Sequence, residues 1–389
     1  MNTKFDFDEL IDRHTPGDIK YQPVSGREDV IPMWIADMDF RAPAEVLKAL
    51  RETAEHGVFG YNETDEVYDE ALTSWYLKRQ GWEINPEHIL KMPGVMFAIA
   101  QAIRALTQPG DAILICQPVY HPFERIVRDN DRTLVVSELV LSGGRYEVDF
   151  EDVEKRIADS GVKMLLFCSP HNPVGRVWDR EELLKIAEIC LKHDVWLVSD
   201  EIHSDFIYPG KAHIPMASLS EEIAERCITA LAPSKTFNIA GLQAANIVIK
   251  NTSARKKIYC AYLATGYSEL NNMAIAAARA AYLYGEEWLD ALLPYLAENI
   301  SYVRDFSGET KGRIKLIEPE GTYLLWLDCR ELGLKGPELE DFFLKKAGVR
   351  LNNGAIFGKG GEGFMRMNIA TQGSVVRKAL NRIGKALER

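Results

Sequence analysis

The chain has 389 residues, enough for two or three domains of about 150 residues each and for a substantial buried core. With 47% hydrophobic, 26% charged and 10% aromatic residues, its composition is that of a folded globular protein and excludes a largely disordered or fibrous chain. Asp and Glu number 57 against 46 Lys and Arg, a formal net charge of -11, and no segment gathers basic residues into a face, so nucleic acid is not an expected partner.

Near the N-terminus, Asp6 and Asp8 stand where a secretion signal needs an apolar core, and no stretch approaches the ~18 apolar residues of a membrane span. Six cysteines, Cys116, Cys168, Cys190, Cys227, Cys260 and Cys329, show neither Cys-x-x-Cys pairing nor zinc spacing. Several lie inside apolar runs and read as small buried hydrophobes, which predicts a reducing, cytoplasmic setting and no metal site.

Residues 1–45 carry Pro16, Pro23, Pro32 and Pro43, too many for a helix, and predict an arm packed on the rest of the chain. From about residue 110, short apolar runs alternate with amphipathic ones. Ala112 to Cys116, Leu134 to Val136, Met164 to Cys168, Val195 to Ser199, Cys227 to Leu231 and Ala245 to Ile249 read as buried strands. Between two of them, Asp179 and Glu182 form a capping-box pattern ahead of a helix that ends at His193-Asp194. Strand, helix and strand in this order predict a mostly parallel sheet with right-handed crossovers. Residues 273–305 read as one long connecting helix. Strands at Arg313 to Ile317, Tyr323 to Asp328 and Phe364 to Ile369, with helices at Gly336 to Lys346 and at the C-terminus, predict an appended α+β unit.

A parallel sheet binds ligands beyond the carboxyl ends of its strands. The residues there include Tyr120, Asn172, Asp200 and Lys235, which supply an aromatic ring, an amide, a carboxylate and an amine. Pyridoxal phosphate uses all four: a lysine for the covalent link to its aldehyde, an acid beside the ring nitrogen, an aromatic face, and a donor to the phenolic oxygen. Its phosphate needs amides at a helix start, and Gly94, Val95 and Met96 precede the helical run Phe97 to Leu106. Simpler readings stand beside these. Lys235 could be a solvated lysine, Asp200 a helix cap or salt-bridge partner, Tyr120 a loop-packing ring, His203 a satisfied buried histidine, Arg366 a partner of a structural carboxylate, and Tyr61 an ordinary interface residue. Gly358 to Gly363 matches G-x-G-x-x-G, but a strand-like run follows it where a dinucleotide fingerprint needs a helix, so a nicotinamide cofactor is rejected.

Together, His171-Asn172-Pro173-x-Gly175, Ser199-Asp200-Glu201-Ile202, Ser234-Lys235-Thr236-Phe237 and Met365-Arg366-Met367-Asn368 resemble, in order and spacing, the fold-type I pyridoxal-phosphate enzymes of the class I/II aminotransferase superfamily. Met33 to Phe40, Asp200 to Asp205 and Ser234 to Leu242 resemble its MalY/PatB branch, whose members are carbon–sulfur β-lyases such as cystathionine β-lyase. The resemblance implies an α/β fold: a large domain at 46–285 with a mostly parallel seven-stranded sheet flanked by helices, and a smaller α+β domain at 286–389 joined by the 1–45 arm. It implies a homodimer with shared active sites, in which Tyr61 reaches the neighbouring subunit's cofactor phosphate. Arg366 then binds the substrate α-carboxylate, Ala36 and Asn172 line the substrate site, Ser234 helps hold the phosphate, and Trp34, Asp37 and Tyr61 are candidates to shape the side-chain pocket. Two positions depart from the wider pattern: Ala232 replaces a phosphate-binding hydroxyl and Gln243 a phosphate-binding arginine. His203 stands where many aminotransferases have a tyrosine facing the phenolic oxygen. The implied reaction is β-elimination from a cysteine thioether such as L-cystathionine, with Lys235 removing the α-proton and pyruvate, ammonia and a thiol as products. An aminotransferase shares every residue up to that proton transfer. A binding or regulatory protein that keeps the fold, with a regulatory protein as partner, is the alternative of another class.

Overall fold

A computed structural model of the chain describes residues 5–24 and 27–388. Residues 1–4 and 25–26 of the expected arm, and residue 389, lie outside the described residues. The central sheet has seven strands: β1 (Ile89–Met92), β2 (Ala112–Gln117), β3 (Thr133–Glu138), β4 (Met164–Cys168), β5 (Trp196–Asp200), β6 (Cys227–Leu231) and β7 (Ala245–Val248). They lie in the order β1-β7-β6-β5-β4-β2-β3. The pairs β2–β3, β2–β4, β4–β5 and β5–β6 are parallel, and β7 is antiparallel to both neighbours. The apolar runs become strands because both faces are covered. Leu114, Leu165, Phe167 and Leu197 enter one core, while Ile113, Ile115, Leu166 and Val198 enter the opposite one.

The helix Arg180–Lys192 connects β4 to β5 and starts at the expected capping box, with Asp179 and Glu182 exchanging side-chain and backbone hydrogen bonds. A second, antiparallel sheet follows: β8 (Lys315–Ile317), β9 (Leu324–Asp328), β10 (Asn352–Asn353) and β11 (Phe364–Asn368), in the order β8-β9-β11-β10. The arm joins this part of the molecule, since Ile31–Pro32 pairs in parallel with Val349–Arg350. The third core unites Phe7, Ile31, Met33 and Phe40 with Leu289, Leu292 and Leu296 and with Met365, Met367 and Ile383.

Two elements differ from the sequence expectation. Residues 273–305 form two helices, Asn272–Tyr284 and Glu286–Glu309, joined at Gly285. A Cβ at Gly285 would stand 2.2 Å from the Phe237 ring, so the junction is set by close approach to the segment after Lys235. The expected helix from Gly336 to Lys346 is an α-helical turn, Pro337–Asp341, continued by a π-helical turn, Phe342–Ala347. Phe342 and Phe343 are both buried in that wider turn. Gly358–Gly363 leads through a short turn into β11, as its strand-like sequel predicts. Among the described residues no helix is long and apolar enough to cross a membrane.

Candidate active site

The carboxyl ends of β4, β5 and β6 carry three of the residues singled out from the sequence. Asp200 is the last residue of β5, and its Oδ1 accepts a hydrogen bond from the Ile202 amide at 3.2 Å. It is buried and makes no ion pair among the described residues, so desolvation pushes its carboxyl up to about 7, with the field of Glu201 adding to the rise. Glu201 itself points elsewhere, accepting from Ser199, Met216 and His213.

Lys235 sits in the short helix Pro233–Thr236 just beyond β6. Its Nζ donates to the Ala36 carbonyl at 2.6 Å. Burial, aided by the charge of Arg366 and opposed by the Asp37 and Asp200 carboxylates, lowers its proton affinity to about 8. A lysine amine that is partly neutral near physiological pH can act as nucleophile or base.

Asn172 lies in the loop after β4, flanked by cis peptide bonds at Ser169-Pro170 and Asn172-Pro173. Its Oδ1 accepts from Arg366 Nη1 at 2.9 Å. Arg366, on β11, brings a guanidinium from the second sheet to the first. Its Nη2 donates to the Trp34 carbonyl at 2.9 Å and to Asn352 Oδ1 at 2.7 Å, and its Cζ lies 4.8 Å from the centre of the Phe357 ring. Nε remains buried without a partner, and burial with no carboxylate in contact draws the group down to about 10. Three neutral acceptors thus fix the plane of the guanidinium while leaving it free to take an anion.

Tyr120 follows β2 and is half-buried with its edge on Phe123; burial and the Asp200 field raise its phenol. His203 is buried, its Nδ1 lacks a partner, and its ring meets Tyr323 edge-on at 5.9 Å. Burial and the charges of Lys235 and Arg366 push it down to about 3, so it is neutral. Ser234 is buried beside Lys235, and its hydroxyl makes no hydrogen bond among the described residues. Gly94 caps the helix Val95–Leu106, which begins two residues before the run read from the sequence. At φ 130° with nothing within 4 Å of a would-be Cβ, Gly94 leaves the Val95 and Met96 end of the helix open to an anion. Tyr61 is fully exposed and is not gathered with the others in its own subunit. Gln243 has a left-handed backbone at φ 60°, and Ala232 is buried.

Ala36 contributes its backbone carbonyl, which accepts from the Tyr323 hydroxyl at 3.1 Å as well as from Lys235. Sequence reasoning missed two supporting groups. Asn368 Nδ2 binds the carbonyls of Ile35 and Asp37, the latter at 2.6 Å, fixing the segment that passes over Lys235. Asn352 lies in a two-residue strand within Leu351-Asn352-Asn353-Gly354, which reads as a turn.

A mostly parallel sheet with a buried lysine and carboxylate at its carboxyl edge, met by a guanidinium from a second sheet, defines a pyridoxal-phosphate-dependent enzyme of the aminotransferase fold. The model of the family "aminotransferase class I and II" matches residues 28–383, and the chain belongs to that family. It is 44% identical over 362 residues, 93% of this chain and 94% of the relative, to cystathionine β-lyase PatB of Bacillus subtilis (strain 168). Among solved structures, it is similar to cystalysin from Treponema denticola, which contains pyridoxal 5'-phosphate (TM-score 0.96, 38% identity, 99% of each chain). It is also similar to the pyridoxal-phosphate-bound C–S lyase from Staphylococcus hominis (TM-score 0.93, 36% identity, 100% of this chain and 99% of that one).

The residues present fit this cofactor. A buried carboxyl without a cation at Asp200, a depressed amine at Lys235 and an open helix start at Gly94 match the ring nitrogen, aldehyde and phosphate in charge and chemistry.

Proposed function

We propose that this protein is a pyridoxal-phosphate-dependent carbon–sulfur β-lyase that cleaves L-cystathionine or a related cysteine thioether to a thiol, pyruvate and ammonia. The observation that carries the reading is the 44% identity with cystathionine β-lyase PatB over 93% of this chain, together with a buried Lys235 amine in a site that also holds Asp200 and Arg366. When bound, pyridoxal phosphate supplies an electron sink for the charge left on the substrate Cα. Lys235 would hold the cofactor, and its amine, when free, would take the Cα proton as general base. Asp200 would keep the ring nitrogen protonated, Tyr120 would stack on the ring, and Asn172, near neutral His203, would donate to the phenolic oxygen. Arg366 grips the α-carboxylate beside Asn172, and the segment carrying Ala36 closes over it.

With Ala232 and Gln243 at the two altered positions, the phosphate falls to the amides after Gly94, to the Ser234 hydroxyl and to the partner subunit's Tyr61 in a cytoplasmic homodimer. The exposed Val58, Phe59, Tyr61, Tyr259 and Tyr267 supply the apolar surface that a second copy would cover.

The test is release of pyruvate and homocysteine from L-cystathionine by the purified holoenzyme without a keto acid. Stoichiometric release supports the lyase, and an amino-acid product formed only when a keto acid is added would replace it with an aminotransferase. Lys235→Ala is expected to lower turnover by about a thousandfold with the fold intact. Wild-type rates in that variant would overturn the assignment of Lys235.

A further inference from the structure

We propose that Arg350 forms a second carboxylate subsite of the substrate cleft and selects thioethers whose far end carries a carboxylate, as cystathionine does. The inference rests on the lyase reading above and adds to it the class of substrate the cleft prefers.

Three observations place Arg350. Val349 and Leu351 are buried in the core, while Arg350 and Asn352 alternate with them onto the other face. Val349–Arg350 pairs with the arm and Asn352–Asn353 with β11, Leu351 joining the two short strands, and across that join Asn352 holds Arg366 at 2.7 Å, two residues from Arg350. The two guanidinium groups also share Trp34. Its carbonyl accepts from Arg366, and its ring lies beneath the Arg350 guanidinium, with Cζ 3.6 Å from the ring centre. The Trp34 Nε1 donates to the Lys20 carbonyl at 3.1 Å, which fixes that ring.

Arg350 makes no side-chain hydrogen bond and no ion pair among the described residues. By contrast, Arg13 and Arg27 in the adjoining arm are both paired with aspartates. Arg350 is half-buried, and desolvation lowers its proton affinity, with only the field of Glu340 opposing the shift. Stacking occupies one face of a guanidinium and leaves its in-plane N–H donors free in the fork geometry that suits a carboxylate. A partly desolvated cation without a counter-ion is unfavourable, and a bound carboxylate offsets that cost.

The probes are suberate, whose carboxylates are separated by as many chain atoms as those of cystathionine, and octanoate, which lacks the second one. In calorimetric titration of the holoenzyme, suberate is expected to bind at least about tenfold more tightly than octanoate, a preference that Arg350→Met abolishes and Arg350→Lys keeps in part. Octanoate binding by the variant reports an intact Arg366 end. In parallel, the ratio of kcat/KM for L-cystathionine to that for S-ethyl-L-cysteine is expected to fall about tenfold in Arg350→Met, through KM. A suberate preference that is absent in the wild type or unchanged in Arg350→Met would overturn the subsite. If the preference behaves as expected while neither thioether is cleaved, the subsite stands and the lyase reading fails. If both thioethers are cleaved with a ratio that Arg350→Met leaves unaltered, the lyase reading stands and the subsite fails.

Discussion

Asp200 closes β5 and Lys235 follows the neighbouring β6, with proton affinities displaced toward each other, one raised to about 7 and the other lowered to about 8, both chiefly by desolvation. The two shifts act on stability in different pH windows. A carboxyl whose folded value lies above its unfolded value of 3.8 destabilises the fold progressively as pH rises from about 4 to about 7. A lysine whose folded value lies below 10.5 costs stability while charged, and that cost is relieved only as pH rises from about 8 toward 10.5. Buried His171 and His203, pushed down to about 4 and about 3, act in the opposite sense below about pH 6.5, so the Asp200 contribution is read as a difference between wild type and variant. By urea unfolding of the apoproteins, Asp200→Asn is expected to gain stability relative to wild type progressively as pH rises from about 5 to about 7.5, while weakening cofactor affinity. An equal slope in the two apoproteins would remove Asp200 as the cause. These two residues were legible in the sequence because each closes or follows an apolar strand, where a charged side chain has few structural reasons to be. Trp34 and Ala36 were legible only through family resemblance, since they meet Arg366 and Lys235 through backbone carbonyls, which every residue type possesses.

The arm shows how an irregular element is held in register. Arg13 reaches Asp18, Asp37 and Asp39 at 2.7 to 2.8 Å, and buried Lys20 pairs with Asp39 at 2.9 Å. Asp37 and Asp39 belong to the segment whose carbonyls meet Lys235, Arg366 and Asn368. Lys20→Met removes one of the two cations on buried Asp39 and leaves Arg13 in place, so it is expected to cost about 1–3 kcal/mol in thermal unfolding. At the helix junction, alanine is favoured over glycine by about 1 kcal/mol in a helix, yet a methyl at Gly285 would overlap the Phe237 ring at 2.2 Å. Overpacking costs about 1–3 kcal/mol and decides the sign, so Gly285→Ala destabilises. Gly308→Ala, in the helix that follows and with nothing within 4 Å, is expected to stabilise by up to about 1 kcal/mol. The merged helix reading failed at Gly285 for this reason: the contact that sets the break comes from residue 237, far away in sequence. The strand β1 escaped notice as well, because Ile89–Met92 is a half-buried edge strand containing Lys91 and offers no continuous apolar run.

At the scale of the whole molecule, the sequence order of strand ends was enough to bring Lys235, Asp200 and Asn172 to one place and family resemblance added Arg366, whereas Tyr61 is left on the outside of its own subunit. Tyr61 is exposed beside Val58 and Phe59, so a contribution to an active site would have to come through a second copy. If Tyr61 serves the neighbouring site, two defective chains can repair one another. Tyr61→Ala should weaken cofactor phosphate binding and lower activity, and Lys235→Ala should be inactive. In a mixed dimer, one site combines both defects, and the other combines a wild-type Lys235 with a wild-type Tyr61 from the partner chain. Random co-assembly of the two variants then yields half mixed dimers with half of their sites intact, so roughly a quarter of wild-type activity returns. Were Tyr61 to act within its own subunit, every site in the mixture would carry one defect, and co-expression would restore nothing beyond the residual activity of Tyr61→Ala. Activity of the co-purified, differently tagged heterodimer decides between a shared site and a self-contained one.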